Sequence, residues 1–129
     1  MSRNFLFFGC VIVFAGCGSY VPTVNLHELS AAQRHEINSV EVFDTQLLSR
    51  ANYKILDIAE GHSCQNKTWD PPATRVAAIQ QLKYFAREMG GNGISDIRCG
   101  GREGTSARTN CWELISCTAN VLKVATPDH

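Results

Sequence analysis

The chain has 129 residues, 44% of them hydrophobic, with twelve Lys and Arg balanced by twelve Asp and Glu. That length suits a single domain, and an even charge without any basic block argues against nucleic acid as a partner. A long apolar run occurs only near the start, so attachment to a membrane has to begin there.

The start reads as an export signal. Arg3 supplies the basic end, an apolar stretch runs from Phe5 to Phe14, and the small residues Ala15 and Gly16 follow. About a dozen apolar residues are too few to span a bilayer, which separates a cleaved signal from a transmembrane helix. The closing Ala15-Gly16-Cys17 resembles the lipobox of bacterial lipoproteins, with Phe14 where Leu is usual. That resemblance implies removal of residues 1–16 and acylation of Cys17, palmitate included, as the first residue of the mature protein. Gly18, not Asp, follows the Cys, which points to the outer membrane. The competing reading is a buried N-terminal helix ending at Gly16. Loss of Arg3 with the signal leaves eleven basic side chains against twelve acidic ones.

Residues 18–39 are polar, with a weak helical stripe at Leu26, Leu29 and Ala32, and read as a tether. The β-branched and aromatic run at 40–43 predicts a first strand, and residues 53–59 a second, ended by Gly61 before a polar loop at 63–70. Asp70 and Pro71 suit the cap and first position of a helix. Ile79, Leu82, Ala86 and Met89 then recur at helical spacing, flanked by Ala78 and Phe85, opposite Gln80, Lys83, Tyr84, Arg87 and Glu88. This predicts a one-sided amphipathic helix of about five turns. Gly90, Gly91 and Gly93 end it, and because they follow a helix they do not form a phosphate loop. Short and long strands at 94–99 and 112–124 flank an eleven-residue loop at 100–110. The predicted architecture is two-layer α+β: one helix on a small, mainly antiparallel four-stranded sheet in the order ββαββ, occupying residues 40–126, with a tail at 127–129.

Six cysteines are present. Cys10 leaves with the signal and Cys17 takes the lipid, so Cys64, Cys99, Cys111 and Cys117 remain. An even number in a small exported domain points to disulfides. No two of them have the Cys-x2-4-Cys spacing favoured by zinc sites. Cys111 and Cys117, six residues apart on one predicted strand, would stand about 20 Å apart, beyond the ~7 Å that a disulfide spans. Each must therefore bond to Cys64 or Cys99, which leaves two connectivities open.

Gly61-His62-Ser63-Cys64-Gln65, then Pro71-Pro72-Ala73-Thr74-Arg75, the long helix, Cys99, and Cys111 and Cys117 with five residues between them resemble the RcsF-like lipoproteins, the sensor family of the Rcs envelope-stress phosphorelay. The resemblance spans about residues 40–124. It implies disulfides Cys64–Cys111 and Cys99–Cys117 and an outer-membrane lipoprotein whose domain faces the periplasm. It further implies a non-enzymatic function, activation of the phosphorelay through contact with an inner-membrane Rcs regulator, with an outer-membrane β-barrel protein as a further candidate partner. No cofactor or metal is expected. The family carries a long Pro-rich tether, whereas about twenty residues with the single Pro22 precede the first strand here; such a chain spans on the order of 25 Å. A structural envelope lipoprotein that binds a barrel or peptidoglycan without signalling is the alternative, and thiol–disulfide exchange would require free cysteines.

The remaining residues read more plainly. His62 is expected to be a loop histidine, while His27, His35 and His129 have no assigned role, and Asn66-Lys67-Thr68 is loop chemistry despite its sequon. Trp69 and Trp112 are candidates for an exposed binding face or for packing. Arg98, Arg102 and Arg108 surround the long loop, where they could meet an acidic partner or lipid headgroups.

Overall fold

The computed structural model describes residues 21–103 and 110–125. The signal at 1–16, the lipidation site Cys17, the tail at 127–129 and Arg108 lie outside the described residues. The expected α+β architecture is present, with additions. After a 3-10 turn at Leu26–Glu28, the order is α1 (Ala31–Asn38), β1 (Glu41–Phe43), α2 (Thr45–Leu48), β2 (Tyr53–Gln65), α3 (Arg75–Glu88), β3 (Gly93–Glu103) and β4 (Glu113–Val124). The sheet order is β1-β3-β4-β2. β4 pairs antiparallel with both β2 and β3, while β1 runs parallel to β3, so the sheet is mixed.

α3 covers one face of the sheet. Ala78, Leu82 and Ala86 line its buried side and meet Ala59, Cys117, Ala119 and Val121. These small facing residues bring helix and sheet close together. At Gly61 the approach is so tight that a Cβ would fall 2.3 Å from the Leu82 backbone nitrogen and 2.4 Å from the Ala78 carbonyl oxygen. Gly61 therefore does not end the second strand as expected; it is the point where the strand passes beneath the helix, and β2 continues through Ser63 and Cys64 to Gln65.

The helix starts later than the sequence suggests. Pro72 disfavours helical geometry at Pro71, and the Asp70 carboxylate is already engaged, accepting from the Lys67 N–H at 3.0 Å to close a turn. Thr74 takes the cap instead, its hydroxyl accepting from Ala77 N–H. The other end matches expectation: Gly91 N–H donates to Ala86 O and Gly90 N–H to Arg87 O, both at 2.9 Å. Gly90, at φ +83°, supplies the left-handed residue that this paired cap requires.

The largest difference lies at 21–39, which is not a free tether. Ser30 and Gln33 form a reciprocal capping box at the start of α1. Ile37 and Val40 are buried, and α1 lies against α3, with Glu36 paired to Arg87 at 3.6 Å. Upstream, the Val24 N–H donates to Gln81 Oε1 at 2.8 Å and the Gln81 amide donates back to Val24 O. Val21 is itself buried, and its N–H donates to Asn110 Oδ1. Among the described residues the folded body thus includes Val21 and does not begin near residue 40.

Replacing Gly61 with Ala forces α3 off the sheet, an overpacking cost of about 2–3 kcal/mol. A lower urea midpoint for Gly61→Ala, with an unchanged denaturant slope, is the expected result.

Candidate interaction surface

Both disulfides lie toward one end of the sheet. Cys99 and Cys117 face each other directly across β3 and β4, their Cα atoms 4.1 Å apart. Cys64, one residue before the end of β2, joins Cys111, which sits just ahead of β4, at a Cα separation of 5.3 Å. The pairing is Cys64–Cys111 and Cys99–Cys117. Cys64 lies on the strand and not in a loop before the helix, so its bond fastens the chain entering β4 to the neighbouring strand. The Trp112 N–H donates to Gln65 O beside it.

The face of the sheet away from α3 carries the groups free to meet a partner. Directly opposed residues of neighbouring strands share a face, so Glu60, Thr118 and Arg98 form one row and His62, Ser116 and Gly100 the next. His62 is therefore a strand residue and not a loop residue; its Nδ1 lies 2.8 Å from Ser116 Oγ and its Nε2 3.8 Å from Glu60 Oε1. Serine, histidine and glutamate are the residue types of an acyl-transfer relay. β4 is an inner strand, paired to β2 on one side and β3 on the other, so its backbone amides are committed to the sheet. The arrangement orients His62 as a hydrogen-bonded polar patch.

Farther along, the open face becomes apolar. Tyr53, Ile55 and Ile58 are 40%, 53% and 63% exposed. α2 overhangs this region, and Phe43, Leu48, Tyr53, Ile55 and Asp96 line a cleft of about 260 Å³. A larger one of about 600 Å³ opens beside it, between Glu41, Phe43, Arg50, Asn92 and Val124. Two irregularities shape the region. β2 bulges between Ile55 and Asp57, and β3 between Ser95 and Arg98. In the second, Asp96 adopts φ +54°, a conformation that Asp tolerates better than most residues, and its carboxylate pairs with Arg98 at 3.0 Å. Bulges increase local twist, so the sheet curls where the clefts lie.

The tryptophans are not core residues. Trp69 is 78% exposed and Trp112 46%, and both stand at the opposite end of the sheet from the clefts, next to Cys64–Cys111. The Lys67 ammonium lies 5.5 Å from the centre of the Trp69 ring. Of the expected arginine cluster, Arg98 is tied to Asp96 at 3.0 Å and is not a free cation. The sequon residues 66–68 form the turn after β2. His27 and His35 lie on the exposed N-terminal helical segment.

Sequence patterns did not suggest the pairing of Gln81 with Val24, since a polar residue on a helix reads as surface. The His62–Ser116 contact was legible only through alternation along β2, which places His62 and Cys64 on one face. Among the described residues, no three His, Cys, Asp or Glu side chains are grouped so as to hold a metal ion. No helix among them is long and apolar enough to cross a membrane.

The Cys64–Cys111 bond closes a separation of 47 residues and Cys99–Cys117 one of 18, which correspond to about 4 and 3 kcal/mol in the chain-entropy model. Serine replacement of both members of either pair should lower the urea midpoint, more for Cys64/Cys111 than for Cys99/Cys117.

Compared with models of known protein families and with curated proteins, the chain matches none.

Proposed function

We propose that the protein is an outer-membrane lipoprotein of the RcsF-like kind, anchored through Cys17, that senses envelope damage and activates the Rcs phosphorelay by protein contact. The observation that carries this reading is the cysteine pairing. The sequence left two connectivities open, and the fold contains the one that the resemblance implies, Cys64–Cys111 with Cys99–Cys117. The lipobox at Ala15-Gly16-Cys17 is a second, independent feature pointing the same way.

The mechanism follows from the distribution of surfaces. Stress changes what the domain can touch, and the curled end of the sheet, with Tyr53, Ile55 and the two clefts, is the partner-binding surface. Apolar side chains exposed beside a preformed concavity suit a partner's anchoring side chain. The inner-membrane regulator engages there, and relief of inhibition passes to the kinase. Because residues 21–39 are packed on the domain, the partner must come to the domain; a long tether does not carry the domain across to it.

Deleting the gene should abolish induction of an Rcs-controlled reporter by envelope damage, and restoring it should recover the response. An unchanged response in the deletion strain contradicts the signalling role. In the same strain, Ile55→Glu should reduce induction severalfold while leaving the thermal midpoint within about 2 °C of wild type, as expected for a surface change near neutral in stability. Full induction by that variant would remove the clefted end from the partner surface.

A further inference from the structure

We propose that the end of the domain bearing Trp69 and Trp112 sits in the headgroup region of the membrane that holds the Cys17 lipid, so that the protein docks on the bilayer in one orientation. The inference rests on the lipoprotein reading above and extends it from an anchor to a surface.

Connectivity comes first. Val21 is buried, and its N–H donates to Asn110 Oδ1 at 3.2 Å. Asn110 precedes Cys111, which is bonded to Cys64, and Trp112 N–H donates to Gln65 O. The first turn of α3 lies at the same end, because Thr74 N–H donates to Ser63 Oγ at 3.0 Å and Ala73 N–H to Glu113 Oε2 at 3.2 Å. The described chain therefore begins at the end of the domain that displays both tryptophans. Four peptide steps separate Cys17 from Val21, a reach of at most about 14 Å. The headgroup region of one leaflet is about 5–8 Å deep. An acyl chain embedded at Cys17 therefore holds this end, and not the clefted end, against the membrane.

The chemistry of the end fits that occupant. Tryptophan is favoured at the interface between lipid and water, where its ring is buried and its N–H remains solvated. Trp69 at 78% exposure and Trp112 at 46% leave both indoles open to such an interface. Lys67, over the Trp69 ring, supplies a cation that can reach lipid phosphate. Two nearby carboxylates are occupied by backbone donors: Asp70 accepts from Lys67 N–H and Glu113 from Ala73 N–H. Gln65 braces the turn with its amide on Asp70 O at 2.8 Å, and Pro71 and Pro72 stiffen it. The tryptophans are thus presented on a rigid rim.

The chain has two tryptophans, Trp69 and Trp112, so its intrinsic fluorescence reports on this end alone. The test uses the full acylated protein, purified from cells and reconstituted into vesicles of phosphatidylethanolamine and phosphatidylglycerol whose acyl chains are brominated close to the headgroup. Mass spectrometry of the same sample reads the acyl mass on Cys17. Blue-shifted emission quenched by the brominated lipid is expected, both in wild type and in the single-reporter variants Trp69→Phe and Trp112→Phe. Acyl mass with unquenched, water-like emission overturns the docking orientation alone. Blue-shifted emission without bromine quenching also overturns it, because a second copy or another protein then covers the tryptophans. Absence of acyl mass overturns both the orientation and the lipoprotein reading.

Discussion

The rest of the molecule depends on β4 and the two covalent bonds near its start. It is the inner strand on which β2 and β3 pair, and its buried residues Cys117, Ala119 and Val121 form the floor on which α3 rests. Cys99–Cys117 locks the register of β3 against it, and Cys64–Cys111 fixes the chain that enters it to the end of β2. A domain of this size buries a limited core, so covalent closure at this end stabilises what apolar contact alone would leave marginal. The glycine at position 61 and the alanines of α3 are the steric counterpart: they let the helix lie directly on the floor that the bonds hold in place.

Much of this was legible in the sequence. The hydrophobic spacing of α3 and its glycine stop were plain because they are local. The four strands were legible in order, but the second and third were too short as read, since strand length depends on a partner that sequence spacing does not show. Gly61 illustrates the difficulty: a glycine in an apparent strand reads as a stop, whereas here it marks close approach of a helix from elsewhere in the chain. Asp70-Pro71 has the composition of a helix start, but Pro72 and the turn at Lys67 commit those residues otherwise. The N-terminal segment was the hardest to read, because part of its hold on the domain is the backbone of Val24 meeting one buried glutamine. For the cysteines, strand geometry excluded one connectivity, and only the folded sheet distinguishes the other two.

The arrangement gives the domain two unlike ends. One carries the disulfide Cys64–Cys111, two exposed tryptophans and the start of the folded chain. The other, where two bulges curl the sheet beneath α2, carries apolar side chains beside concave surfaces. Between them the open face is polar, with His62, Ser116, Glu60 and Arg98 in hydrogen-bonded or ionic contact. Under the proposed function, a lipid holds one end of such a module and leaves the opposite end available to a partner.

The most direct test of the account is peptide mapping, without reduction, of the protein taken from cells with its thiols blocked at lysis. The account predicts an acylated Cys17 at the amino terminus and linked peptides joining Cys64 to Cys111 and Cys99 to Cys117. Blocked, formerly free thiols at those four positions, or peptides linking Cys64 to Cys117 and Cys99 to Cys111, would contradict it.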